Sequence, residues 1–190
     1  MEQDGIETAM LEEFEALDFG DQRAQLIAGR IVVADWPLSD EEGILTATLA
    51  ELIGTGLRRC PGASCRLALR IGLRIRGKQG RRGRDSYLTP TLTIQCHSGN
   101  GDWTPIVVVE VLSGAERRDD VLEKIEEYKS IPTVADILIF GAREMSASHH
   151  RRDKGIWLSA CRITRPTDIL SLEQWSIELR LSQIYQDLST

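Results

Sequence analysis

The run PIVVVEVL, residues 105 to 112, constrains the fold more than any other segment of this chain. Its apolar side chains follow one another without alternation, which is typical of a central strand covered on both faces. The run contains one charged residue, Glu110. A buried carboxylate is strongly unfavourable unless it is paired or bound to a metal ion. Glu110 therefore belongs either to a structural salt bridge with a nearby Lys or Arg or to a functional site.

The segments around this run predict an α/β (α+β) chain with a mixed β-sheet. A helix over 119 to 130 precedes another buried strand, ADILIF, and the order strand, crossover helix, strand implies a parallel pair. Upstream, CRLALRIGLRIR and YLTPTLTIQC predict two strands joined by a polar hairpin tip, the first with one wet, basic face. The remaining predictions are helices over 7 to 17, 40 to 59 and 181 to 188, two short strands in QLIAGRIVVADW, and a strand over 155 to 163.

The helix from Asp40 has a capping box, because Glu42 follows Ser39 by three positions.

With 190 residues, the chain is predicted to form a single domain over 1–190, with an amino-terminal helix and hairpin in 1–36 and the core in 37–190. No apolar stretch reaches the roughly 20 residues of a membrane span. The first residues are acidic, unlike a signal peptide, so we expect a cytoplasmic location.

The four cysteines and three histidines show no metal-binding spacing. There is no Cys-x-x-Cys pair, and no cysteine is followed by a correctly spaced histidine. We therefore expect buried free thiols. The segment HHRRDK, which contains His149 and His150, is predicted to be a polar loop.

Basic residues are concentrated between Arg74 and Arg82, a stretch called the basic segment below. The formal net charge of the whole chain is -6, and this argues against a protein that coats nucleic acid indiscriminately. One alternative is a solvated hairpin whose charges keep a sheet edge soluble. The other is a surface that contacts phosphates. The candidate nucleic-acid-binding residues are Arg74, Arg76, Lys78, Arg81 and Arg82.

The helix that follows Glu110 carries Asp120 and Lys124 one turn apart on the same face. The connection through Ser113 and Gly114 is short enough for that face to fold back toward the end of the strand. Phosphodiester hydrolysis needs acidic ligands for hard cations such as Mg²⁺ and a cation that stabilises the transition state. The alternative is an ordinary helix pair between Asp120 and Lys124.

The block PIVVVEVLSGAERRDDVLEKIEEYKSIP, followed by ADILIF, resembles the central signature of the putative restriction endonuclease family within the PD-(D/E)XK nuclease superfamily. The amino-terminal hairpin, the first long helix, the segment LRI with YLTPTLTIQC, and LSQIYQDL resemble further elements of that family, in order. The resemblance implies a restriction-endonuclease-like mixed sheet flanked by helices. It also implies that Glu110 is a catalytic acid and metal ligand, Lys124 the catalytic lysine, and Asp120 an associated acid.

Three positions depart from the family pattern. Pro90 is followed by Thr91 where the family has the metal-binding aspartate of its Pro-Asp motif, which makes Thr91 a degenerate site position. Gly72 stands where relatives usually carry an acid, and Phe140 ends a strand that usually leads into an aspartate. Glu42 is a possible additional acid, although capping alone accounts for it.

The resemblance implies a DNA endonuclease that uses Mg²⁺ or Mn²⁺ if it is active, with reduced activity because of Thr91. The alternative is a catalytically degenerate nuclease-like domain that binds nucleic acid or protein and needs no cofactor. A third alternative is a domain with no nucleic acid ligand, which the acidic net charge permits. A homodimer is expected from the resemblance only.

Overall fold

The computed structural model describes residues 11–20, 22–34, 39–60, 64–77, 83–97, 99 and 101–188. Its elements, in chain order, are α1 (Leu11–Glu15), β1 (Arg23–Ile27), β2 (Arg30–Ala34), α2 (Asp40–Arg58), β3 (Cys65–Leu69), β4 (Leu73–Ile75), β5 (Ser86–Leu88), β6 (Leu92–His97), β7 (Trp103–Leu112), α3 (Arg118–Ser130), β8 (Asp136–Gly141), β9 (Ala147–Asp153), β10 (Ile156–Trp157), β11 (Cys161–Ile163), β12 (Ile169–Leu172), a 3₁₀ turn (Glu173–Trp175), β13 (Ile177–Arg180) and α4 (Leu181–Ile184).

The chain divides into two compact units, each assembled from three separate segments. Unit 1 comprises Met1–Leu38, Gly72–Thr89 and Glu116–Pro132. Unit 2 comprises Ser39–Ile71, Pro90–Ala115 and Thr133–Thr190. The single domain expected over 1–190 stays a prediction.

Unit 1 contains a four-stranded sheet in the order β2-β1-β5-β4. The hairpin of β1 and β2 turns through Ala28 and Gly29, both at positive φ, as the glycine in the sequence predicts. Leu11 and Phe14 of α1 pack with Leu26 in a small apolar cluster. Residues 7 to 10 of the predicted first helix lie outside the described residues.

Unit 2 contains a seven-stranded sheet with the path β10-β9-β8-β7-β6-β3 and β11 paired to β9. The β7 and β8 strands are parallel and the other pairs of the sheet are antiparallel, so the predicted parallel pair and mixed sheet are confirmed. Apolar residues of α2 at four-residue spacing, Leu45, Leu49 and Ile53, are fully buried in the main core. The β12 and β13 strands form a separate two-stranded sheet.

The beginning of α2 follows the predicted cap. Ser39 is the N-cap in extended conformation, and its hydroxyl accepts a hydrogen bond from the Glu42 backbone amide at 3.2 Å. That bond satisfies one of the amide groups that a helix leaves open at its first turn. The predicted start at Asp40 is confirmed, and the helix ends at Arg58.

The prediction of one continuous strand over 65 to 76 is wrong. Arg70 takes a positive φ of 49°, which ends the extended run, and the β3 and β4 strands on its two sides belong to different sheets. Leu69, placed on the apolar face by its alternation, is 54% exposed. The strand predicted over 87 to 96 is likewise divided into β5 and β6.

The prediction of buried free thiols is wrong for three of the four cysteines. The antiparallel pairing of β3 and β6 sets Cys65 opposite Cys96, and the two form a disulfide. Cys161 is exposed, whereas Cys60 is half-buried and its thiol donates to the Trp175 carbonyl. Sequence spacing does not reveal a pair that is joined by strand register.

The polar segment with His149 and His150 is a strand rather than a loop. Both residues lie in β9, which pairs with β8 on one side and with β11 on the other. The half-buried His149 ring bonds to Asp136, so polar side chains here have partners within the sheet.

The strand predicted over 155 to 163 is two short strands, and the closing helix is limited to α4. Among the described residues, no helix is both long enough and apolar enough to cross a membrane.

Candidate functional site

Glu110 lies in the middle of the large sheet of unit 2. Its strand, β7, runs between β6 and β8, and Glu110 is opposite Ile139 of β8. The side chains before and after it, Val109 and Val111, are buried in the main core. Because strand residues alternate between faces, Glu110 points to the other face of the sheet. It is 5% exposed there, as expected from its apolar strand.

Thr91 is next to Glu110 and is joined to β7 by two hydrogen bonds. Its hydroxyl Oγ1 lies 3.4 Å from Glu110 Oε2 and accepts the Val111 backbone amide at 3.0 Å. Thr91 is 4% exposed. Since the amide can only donate, the hydroxyl hydrogen is directed to the carboxylate. Thr91 thus connects the acid of β7 to the backbone of the same strand.

Asp120 and Lys124 lie in α3 of unit 1, and each is 8% exposed. The Asp120 carboxylate is paired with Arg30 of β2, and Glu123 contacts the same guanidinium group at 3.2 Å. Burial lowers the pKa of Arg30, but the hydrogen bonds and negative charges of Asp120 and Glu123 outweigh it and the pKa is raised. The Asp120 partner is therefore an arginine that the sequence pattern did not indicate.

The candidate residues are distributed over both units. Glu110, Thr91 and Glu42 belong to unit 2, whereas Asp120 and Lys124 belong to unit 1. The predicted convergence of Lys124 on Glu110 stays a prediction. Glu42 is buried near the start of α2, where its backbone amide takes part in the helix cap.

The oxygen donor that lies next to Glu110 is the hydroxyl of Thr91. Within the part of the chain that the structure describes, no three His, Cys, Asp or Glu residues are grouped closely enough to hold a metal ion. Thr91 contributes a neutral oxygen that already accepts one hydrogen bond. Hard divalent cations prefer carboxylate oxygens, so Thr91 is a weaker ligand than the aspartate that the family resemblance implies at this position.

In unit 1, the Tyr87 side chain occupies the space that a side chain at position 72 would need. A Cβ atom added at Gly72 would lie 2.1 Å from the hydroxyl oxygen of Tyr87 and 2.4 Å from its Cζ. The Tyr87 ring is held by packing against Phe14, with 5.4 Å between ring centroids. A side chain at position 72 is therefore incompatible with this placement of Tyr87.

The basic segment is paired with acids of α1. Arg74 contacts Glu15 at 2.6 Å, and Arg76 contacts Glu12. The hydrogen bond from Arg76 lowers the pKa of Glu12. All four side chains are substantially exposed, so these are surface ion pairs. The other candidate residues of this segment, Lys78, Arg81 and Arg82, lie outside the described residues.

The sequence profile of the putative restriction endonuclease (Uma2) family matches residues 11–182, which include every candidate residue named above. The chain belongs to this family. Its fold is similar to the crystal structure of a putative nuclease belonging to DUF820 from Anabaena variabilis ATCC 29413. The TM-score is 0.73 at 14% sequence identity, over 94% of this chain and 98% of that chain. No curated protein matches the sequence. The predicted restriction-endonuclease-like α/β fold is confirmed.

Thr91→Val tests the two hydrogen bonds of the threonine hydroxyl. Valine keeps the side-chain shape but leaves the Val111 amide and the Glu110 carboxylate each without one bond. Leaving buried polar groups unsatisfied costs about 1–3 kcal/mol, and we expect a loss of that size in the free energy of unfolding measured with urea.

Thr93→Val is the matched control, in the β6 strand that begins immediately after Thr91. Thr93 is fully buried in β6, and its hydroxyl has no hydrogen-bond partner within the described part of the chain. Removing that hydroxyl should leave stability unchanged or raise it. Equal losses in the two variants would show that the bonds of Thr91 do not stabilise the protein.

Proposed function

We propose that this chain binds DNA as a nuclease-like domain and that its magnesium-dependent phosphodiester hydrolysis is strongly reduced. The observation that carries this proposal is that Thr91 Oγ1 donates to Glu110 and accepts from the Val111 backbone amide. These two hydrogen bonds connect the remaining acid to protein groups at the position where the family resemblance places a metal-binding aspartate. The DNA part of the proposal rests on family membership.

Two physical arguments support the loss of efficient hydrolysis. A carboxylate pair brings negative charge to a divalent cation, whereas Glu110 with a threonine hydroxyl brings half of that charge. The Thr91 oxygen must also give up its bond from the Val111 amide, or share it, before it can coordinate a cation. We therefore assign no catalytic step to a metal ion in this chain.

A second candidate is a magnesium- or manganese-dependent DNA endonuclease of reduced activity. It is favoured by the retention of Glu110 and Lys124, both buried, at the positions that the family resemblance assigns to the acid and the lysine. It requires another acid to replace the missing aspartate, and Glu42 is the candidate for that role. Under this alternative the homodimer expected from the resemblance would place two such sites on one DNA molecule.

Thr91→Asp separates the two candidates. We expect the wild type to give no binding heat with Mg²⁺ or Mn²⁺ and no divalent-dependent nicking of supercoiled plasmid. The variant should bind the cation, because a second carboxylate joins Glu110. The double variant Thr91→Asp, Glu110→Gln should lose that binding again. Calorimetry and plasmid nicking on the same samples provide the measurement.

A different result would favour the endonuclease. If the wild type binds the cation and nicks plasmid, and Glu110→Gln abolishes both, the site is active with another acid in place of the aspartate. That outcome would contradict the proposed loss of hydrolysis.

The ion pairs of α1 predict that acidic side chains weaken DNA binding by the basic segment. The double variant Glu12→Gln, Glu15→Gln leaves Arg76 and Arg74 without these carboxylates. We expect higher affinity for duplex DNA at low salt. The dependence of log K on log salt should steepen by about 0.9 for each additional phosphate contact, as measured by fluorescence anisotropy.

A charge-matched control distinguishes local pairing from net charge. Glu51→Gln with Glu178→Gln removes two exposed acids from α2 and β13, in unit 2. An equal gain in affinity from this control would show that overall charge, and not release of Arg74 and Arg76, controls binding.

A further inference from the structure

A second group of reactive side chains lies in unit 2, in a row across three strands. In the pairing of β11 with β9, Cys161 is directly opposite His149. In the pairing of β9 with β8, His149 is opposite Leu138, two residues from Asp136. Residues opposite one another, and residues two apart on one strand, point to the same face of a sheet. Cys161, His149 and Asp136 therefore share one face.

This row is separate from the position of Glu110. Glu110 is opposite Ile139 of β8, and Ile139 and Asp136 are three positions apart. Because side chains alternate along a strand, the two carboxylates lie on opposite faces of the same sheet. The chemistry of the row thus does not depend on the proposed function.

His149 is held by a hydrogen bond between its Nε2 and Asp136 Oδ1 at 2.6 Å. The two side chains are 11% and 14% exposed, so the bond is largely shielded from water. This bond leaves the second ring nitrogen, Nδ1, for another partner. The neighbouring charges are those of Arg151 and Glu173, which form a bidentate ion pair at 2.7 Å, and the hydrogen bond from Arg151 lowers the pKa of Glu173.

The cysteine of the row is the accessible thiol among the four. Cys161 is exposed, whereas Cys60 is half-buried and donates to the Trp175 carbonyl, and the remaining two form the disulfide. Side chains directly opposite in an antiparallel pair have Cβ atoms about 4.5–5.5 Å apart, within reach of a proton transfer after a rotation of the cysteine side chain. A thiolate, and not a thiol, is the attacking species.

We propose that Cys161 is a modification site, a nucleophilic thiol that His149 activates and that takes low-molecular-weight disulfides. His149 accepts the Sγ proton, and Asp136 orients the ring and stabilises the imidazolium. The thiolate attacks one sulfur of the small disulfide, a new S–S bond to Cys161 forms, and the original S–S bond breaks. The leaving thiolate takes the proton from His149, and no further oxidant is needed.

The rate of alkylation by iodoacetamide at neutral pH, resolved by residue with mass spectrometry, tests the activation. The thiolate forms an S–C bond and iodide leaves. We expect Cys161 to react about tenfold faster than the same cysteine in an unstructured peptide, and faster than Cys60 in the same sample. His149→Gln should reduce the rate to that of the peptide, and Asp136→Asn should give a value between them.

Two controls make the result specific. Arg162→Gln removes the positive charge next to Cys161 on its strand and should change the rate less than twofold if His149 acts as the base. The dependence of the alkylation rate on pH should differ between the wild type and His149→Gln, because the variant has no base opposite Cys161. Two measurements verify that each variant is folded. The peptides that contain Cys65 and Cys96 should be recovered as a disulfide-linked pair, and the near-ultraviolet circular dichroism spectrum should match that of the wild type.

Oxidised glutathione then serves as the small disulfide, with the mixed disulfide at Cys161 measured by intact mass. Formation at Cys161 that is lost in His149→Gln supports the proposal. A wild-type alkylation rate equal to that of the peptide would overturn it, and that comparison needs no variant. Equal loss of rate in Arg162→Gln and His149→Gln would also overturn it, since a charge effect would then replace the base.

Discussion

A carboxylate in the central strand of an apolar sheet must have a compensating partner, and the surroundings of Glu110 are organised by that requirement. Thr91 meets part of it with a hydroxyl that donates to the acid and accepts the amide of the next residue, Val111. The loss of such partners by buried polar groups lowers the free energy of unfolding. The threonine therefore stabilises the fold at the position where a metal-binding aspartate would repel Glu110 in the absence of a cation.

The fold does not depend on an acid at position 91, because other side chains stabilise it. The parallel β7 and β8 pair, the main core and the α2 cap depend on apolar residues and on Ser39. None of these requires an acid at position 91 or 72. The similarity to a solved putative nuclease agrees with this. The TM-score of 0.73 measures the arrangement of the backbone, which is similar although only 14% of the residues are identical.

Much of the fold could be predicted from the sequence where local and tertiary preferences agree. The β7 and β8 runs are apolar without interruption, and α2 has both a cap and a regular apolar face, so their positions follow directly. The prediction fails at Arg70, because alternation continues through a residue with positive φ. It also fails in β9, where polar side chains are satisfied by neighbouring strands, and for the disulfide, which strand register alone creates.

The candidate site was predictable to a similar extent. The burial of Glu110 follows from its place in an apolar strand, whereas the sequence indicates only that Asp120 and Lys124 share one face of a helix and not that both are buried. The role of Arg30 was not predictable, because it is 90 residues from Asp120 in the chain and only the sheet of unit 1 places it at α3. Cys161 and His149 were missed for the same reason, since cross-strand neighbours leave no spacing signal in the sequence.

The proposed function requires that Glu110 and Thr91 stay hydrogen-bonded to each other and do not bind a divalent cation. The most direct measurement is a titration with paramagnetic Mn²⁺ followed in the amide spectrum of the ¹⁵N-labelled protein. If no cation binds there, the Val111 and Thr91 signals should keep their intensity relative to the other buried amides of the sheet. Selective broadening of those two signals at low Mn²⁺ would place a cation beside Glu110 and contradict the proposed function.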